Sequence, residues 1–407
     1  MTIAWTMQSA LVFIAIALWI GDVVASLTKA RVPSILIIAI IFVVGYWTIL
    51  PQDFLDIALI PYFYQFVNFI IMVHIGTLFN LRELKSEWKV VVITLAAVVG
   101  IVITVYFLGQ YIPWVGKAQA LAMAPPFTGG LMAALIMGEA GNAAGMPALG
   151  TLSSICFIMQ GFVGFPLTAL FLKKEATRVL GEIEKGSWVA EEEKKDEAVQ
   201  KKALVDRVPE KLKGNYWYIL ELCFYGWIAK LLSDFLNTTF NSTLWSTSIT
   251  GIVVGILAAA FGIIDTSPMN KAQSYGFLNW ALTAYFMSFL KTATASLLLS
   301  LVVPLVTGLA LATVGIFIGS ILLGTSKIIG FSKPMALAVG LNCFLGFPYN
   351  FILVKECIAS LDCSEERKET VENHLMPKMI LGSVIAVSIV SVLIAGILAP
   401  VVMAMGA

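Results

Sequence analysis

Apolar residues in this chain fall into runs of about 20, the length an α-helix needs to cross a bilayer core of ~30 Å. Ten such runs occur, at approximately 5–26, 33–50, 57–79, 88–111, 147–172, 215–236, 244–264, 271–290, 296–324 and 375–402. Two further segments, about 118–140 and 334–359, are as apolar but interrupted. The first contains "MAPPFTGG", with Pro125 and Pro126 ahead of Gly129 and Gly130. The second contains "LNCFLGFP", with Gly346 and Pro348. Proline removes a backbone donor and clashes with the preceding turn, and glycine adopts angles other residues avoid. The pattern predicts an all-α polytopic membrane protein with two broken segments.

Composition agrees with that solvent. Apolar residues make up 59% of the 407 and charged residues 13%, against about 25% charged in soluble domains. A net charge of +1 argues against nucleic acid as a partner. The five cysteines, Cys156, Cys223, Cys343, Cys357 and Cys363, show no metal-ligand spacing and read as small apolar residues. Only His74 and His374 are histidines, so no histidine triad or zinc site is expected. The first run has no lysine or arginine before it, while Lys29 and Arg31 follow. That order is the reverse of a signal peptide and predicts a retained helix with its N-terminus outside.

The stretch 173–214 is densely charged, as in "EEEKKDEAVQKK". It cannot enter lipid, where a central charge costs about 2.5–3.5 kcal/mol or more. It reads as a partly helical cytoplasmic linker between two halves, 1–172 and 215–407. Lysine and arginine mark cytoplasmic loops. With both broken segments entering and leaving on one face, the inner loops hold Lys29, Arg31, Arg82, Lys85, Lys89, the linker, Lys271, Lys327, Lys333, Lys355, Arg367, Lys368 and Lys378. The outer loops hold only Lys117 and Lys291. The expectation is ten spanning helices, two re-entrant segments and both termini outside.

The halves repeat. "KAQALAMAPPFTGG" from Lys117 aligns without gaps on "KPMALAVGLNCFLG" from Lys333, pairing Gly130 with Gly346 at an offset of 216. "FVNF" at Phe66 aligns on "FLNW" at Phe277 at an offset of 211. Five spanning helices per half is an odd number, so the second half lies inverted relative to the first. That is the plan of many secondary transporters, whose broken helices meet near the midplane and hold substrate and coupling ions. Broken backbone persists in a membrane only where protein or a cavity surrounds it.

In this order of elements the chain resembles the glutamate:sodium symporter family and, more distantly, the 2-hydroxycarboxylate transporters. Thr128-Gly129-Gly130 in the first half and Leu341 to Pro348 in the second carry the resemblance. It implies a sodium-coupled symporter in a bacterial inner membrane, often a homodimer, moving a small glutamate-like or dicarboxylate-like solute by alternating access. A proton-coupled carrier or exporter is the alternative within transporters, and an ion channel the alternative of another class. An enzyme is not expected, because no histidine, aspartate or cysteine constellation gathers on one face.

Thr128 and Asn342 stand near the two tips and offer oxygens to Na⁺. Substrate contacts are expected from Gly129, Gly130, Ser153, Ser154, Gln160, Gly346, Tyr349, Asn350 and Lys355. The glycines would let backbone approach the ligand, and Lys355 would counter a carboxylate. Single polar residues in membrane helices also commonly bond a neighbouring helix, the competing reading for each.

Overall fold

The computed structural model describes residues 4–28, 32–78, 87–188, 204–240, 245, 247–345 and 349–406, and every regular element among them is helical. The first half comprises α1 (Met7–Leu27), α2 (Ser34–Thr48), the single turn α3 (Phe54–Ile57), α4 (Ile60–Thr77), α5 (Trp88–Ile101), α6 (Gly116–Met123), α7 (Leu131–Ala143) and α8 (Pro147–Glu184). The second comprises α9 (Asn215–Phe240), α10 (Thr247–Ala260), the single turn α11 (Pro268–Lys271), α12 (Tyr275–Phe286), α13 (Ala295–Gly324), α14 (Lys333–Gly340), α15 (Tyr349–Ala359), α16 (Glu365–Val384) and α17 (Ser391–Met403). α5 continues as a π-helical turn, Val102–Leu108, and Ile385–Val390 is a second π turn joining α16 to α17.

Four helical runs are long and apolar enough to cross a membrane: Met7–Leu27, Trp88–Tyr111, Pro147–Glu184 and Ala295–Gly324. Three shorter apolar helices, Ser34–Thr48, Ile249–Ala260 and Ser391–Met403, accompany them. Side chains such as Trp19, Trp227, Leu299, Val306 and Leu322 remain exposed, as lipid-facing residues do in a bilayer. The chain is therefore an all-helical membrane protein. α8 runs twelve residues past the expected end of its apolar stretch. Lys173 to Glu184 is a good helix-forming sequence, and Arg178 pairs with Glu175 and Glu182 one turn to either side. Beyond α8 the linker is described at residues 185–188 and again from 204, where it forms two 3₁₀ turns.

Packing divides the helices in the same way in both halves. α1–α4 and α9–α12 contribute to one core, around Phe42, Phe54, Met72 and Phe286, which Met132, Ala134 and Leu135 of α7, Ile158 of α8 and Val392 of α17 also join. α5–α8 and α13–α17 build three adjoining cores. Each body has a tight glycine crossing. A Cβ on Gly100 of α5 would lie 2.1 Å from the carbonyl oxygen of Gly315 on α13. A Cβ on Gly255 of α10 would lie 2.3 Å from that of Val73 on α4. Gly251/Gly255 and Gly315/Gly319 are both four apart, the small-residue spacing that lets membrane helices touch along their backbones.

A further correspondence between the halves lies in the backbone. Leu59, between α3 and α4, has φ 57°, and Gln273, between α11 and α12, has φ 53°. Both are left-handed positions that non-glycine residues rarely occupy. They are 214 residues apart, between the offsets of 211 and 216 read from the sequence.

Candidate functional site

Both interrupted segments are broken helices. In the first, α6 gives way to a 3₁₀ turn, Pro126–Thr128, and α7 starts at Leu131. Gly129 has φ 111°, which glycine alone adopts easily. Gly130 has φ −102° and ψ 128°, an ordinary extended conformation, so its backbone angles do not demand glycine. In the second, α14 gives way to a 3₁₀ turn, Leu341–Phe344, and α15 starts at Tyr349. Gly346 lies outside the described residues, as does the side chain of Tyr349.

The two breaks meet. The rings of Phe127 and Phe344 lie 6.3 Å apart, and the two 3₁₀ turns touch. The π turn Ile385–Val390 packs on both of them, and α8 passes across both. Gly164 of α8 faces the second break: a Cβ there would stand 2.8 Å from that of Phe344. Each break is thus flanked by the C-terminal end of one short helix and the N-terminal end of another. Helix C-termini favour cations and N-termini favour anions.

Among the described residues, oxygen-bearing side chains gather here without acids or bases. Thr128 is buried and its hydroxyl donates to the carbonyl of Pro125 at 2.6 Å, while its oxygen accepts from no donor among the described residues. Asn342 and Asn350 are buried partners across the second break: the Asn350 amide donates to the Asn342 side-chain oxygen and, at 3.1 Å, to the carbonyl of Leu345. The Asn350 side-chain oxygen has no hydrogen-bond partner among the described residues. Ser153 donates to the Ala134 carbonyl at 3.3 Å, tying α8 to α7. On the same helix the Ser154 hydroxyl and the Gln160 carbonyl oxygen are buried without partners among the described residues.

Lys355 sits elsewhere. Its ammonium is half exposed and pairs with Glu372 of α16 at 2.5 Å, above the Phe351 ring. That pairing fixes α15 to α16 and does not bring the charge to the buried amides. Three residues not singled out in the sequence belong to the site. Gly382 of α16 backs onto Asn342, since a Cβ there would lie 2.3 Å from the Asn342 amide nitrogen and 3.5 Å from the Thr94 hydroxyl. Thr94 is buried with an unpartnered hydroxyl among the described residues. Ser320 lies against Gly340, at the end of α14. A lone hydroxyl in an apolar run was the only signal for Thr94 and Ser320.

The ends of the second broken segment are held together at Glu175. This buried carboxylate accepts from Arg178 and from Ser332, one residue before α14, and lies 3.1 Å from Nε2 of His374 on α16. Burial pushes its carboxyl up, but the bonds from His374, Arg178 and Ser332 outweigh that and hold it at about 2. Arg367 reaches Glu184 on the same side.

No protein-family model matches this chain, and no curated protein matches it either.

Proposed function

We propose that the chain is a secondary active transporter that couples Na⁺ entry to the uptake of a small organic anion or amino acid by alternating access. The observation that supports this most is the meeting of two broken apolar segments at Phe127 and Phe344 inside a membrane body. A membrane protein keeps such irregular backbone only where protein buries it or it lines a cavity, as the broken helices of secondary transporters do.

The resemblance to sodium symporters favours Na⁺, and the donor set suits it. Thr128, Thr94 and Asn350 offer neutral oxygens, and the C-termini of α6 and α14 add carbonyls. The N-termini of α7 and α15 favour the anionic group of the substrate. In this reading α5–α8 with α13–α17 move against α1–α4 with α9–α12.

Several contacts support the re-entrant, inverted arrangement. Ser332 and His374, before and after the second broken segment, both bond Glu175, as a segment entering and leaving on one face requires. Residues 175–184, 332 and 367–374, all placed inside by the charge rule, cluster together. Trp47 bonds Ala293 at 2.6 Å and Trp5 bonds Ile49 at 3.1 Å, pairing segments placed outside.

A thermal-shift screen of the purified protein against amino acids and di- and tricarboxylates, each with Na⁺ or choline, tests the reading. A stabilising solute whose effect requires Na⁺ is expected. Equal stabilisation in choline would remove sodium coupling.

A further inference from the structure

Away from the breaks, a cavity of about 180 Å³ opens where the two helical bodies meet. Tyr46, Gln52, Asp56, Tyr285 and Lys291 line it from one body, and Asn142 at the end of α7 lines it from the other. We propose that it is a binding site for a small zwitterion, with Asp56 taking the ammonium and Lys291 the carboxylate. It lies apart from the substrate site proposed above and does not depend on it.

The charges point to this ligand class. Among the described residues neither Asp56 nor Lys291 makes an ion pair. Two opposite charges therefore line one cavity without neutralising each other. A simple anion there would meet Asp56, and a simple cation would meet Lys291; a molecule bearing both signs satisfies both. The amides of Gln52 and Asn142 each offer a donor and an acceptor, and Tyr46 and Tyr285 complete the lining. The volume equals about six liquid waters at ~30 Å³ each and falls below the ~300 Å³ at which drug-sized pockets begin. It is partly open to solvent and has room for a small amino acid.

The lining is held in place. Asp56 rides on the single turn α3, just before the left-handed Leu59. Lys291 follows the 3₁₀ turn Met287–Leu290, and the Trp47 indole clamps that connection through the Ala293 carbonyl at 2.6 Å. Behind the cavity, Tyr285 stacks on Tyr64 at 3.8 Å and its hydroxyl donates to Glu139 of α7 at 3.3 Å. An occupant would thus touch both bodies, meeting at Asn142 the end of the helix that follows the first break.

The test is calorimetric titration of the full chain in lipid nanodiscs at pH 7 with alanine, propionate and ethylamine. The last two are alanine without its amine and without its carboxylate. Alanine is expected to bind, with propionate and ethylamine weaker by about tenfold or more, the loss of one charged hydrogen bond. Asp56→Asn and Lys291→Gln should each weaken alanine by a similar factor. The exchanged pair Asp56→Lys with Lys291→Asp should recover binding, and Asn342→Ala at the second break should leave it unchanged. Should Asp56→Asn not purify as a single species, Lys291→Gln carries the comparison. No alanine binding in the parent, or binding unaffected by Lys291→Gln, would overturn the proposal. So would loss of binding in Asn342→Ala with retention in both charge variants. Each of these results would leave sodium-coupled uptake at the breaks standing.

Discussion

The Phe127 and Phe344 rings, 217 residues apart in sequence, lie 6.3 Å from each other at 57° between their planes. They join the two points where apolar helices break. Aromatic pairs in this geometry couple by roughly 0.5–1.5 kcal/mol beyond their area. Phe127→Leu and Phe344→Leu should each lower the melting temperature in lipid. The double variant should lose less than the sum, because the second change has no ring left to remove. Strict additivity in the double-mutant cycle would mean that the breaks do not act together.

The two glycines of the first break should behave differently. Gly129 occupies φ 111°, where a side chain is strained by about 1–3 kcal/mol. Gly130 occupies angles open to any residue. Gly129→Ala should lose stability and uptake together. Gly130→Ala should keep its stability and lose uptake, because only close approach to substrate requires glycine there. Full uptake by Gly130→Ala would make that glycine architectural.

For the ion, Thr128→Val and Asn342→Ala should raise the Na⁺ concentration that gives half-maximal stabilisation by a transported solute. Thr128→Val keeps the shape and removes the only side-chain oxygen of the first 3₁₀ turn. Asn342→Ala removes the acceptor of the Asn350 amide and leaves Asn350 to reorient. An unchanged Na⁺ requirement in both would assign the ion to backbone carbonyls alone.

Much of this was legible because lipid imposes a coarse code. Apolar runs of helix length gave α1, α13 and the run Trp88–Tyr111 that α5 begins to within two residues, and proline and glycine marked the first break. The aligned stretches from Lys117 and Lys333 fall at the first turns of α6 and α14. What escaped was whatever depends on convergence in space. Leu59 and Gln273 turn left-handed without glycine or asparagine to announce it. Lys355 stands six residues past the second break's end and looks placed for a carboxylate, yet Glu372, seventeen residues later, claims it. Asp56, Asn142 and Lys291 meet at one cavity from three distant segments, and no local pattern links them. Gly382 reads as an ordinary small residue until Asn342 is seen against it.

The pH dependence of stability should report Glu175, which lies beyond the apolar part of α8. Its carboxyl is held at about 2, below the ordinary ~4.3 of a glutamate. A depressed value adds stability above about pH 4.3 that is lost as pH falls toward 2. The parent's melting temperature should therefore drop between pH 5 and pH 3 by more than that of Glu175→Gln. At pH 7 the variant should melt lower, because Arg178, Ser332 and His374 lose a shared acceptor. Parallel pH curves for the two proteins would show that this carboxylate does not hold the second broken segment.

Solute accumulation in proteoliposomes under an imposed Na⁺ gradient tests the transporter reading most directly. The protein would be reconstituted and offered labelled amino acids and di- and tricarboxylates, with a sodium ionophore as control. The account predicts that at least one solute accumulates above its external concentration, saturably, and that the ionophore abolishes the accumulation. Non-saturating flux down the solute's own gradient, indifferent to Na⁺ and to the ionophore, would contradict it and point to a channel.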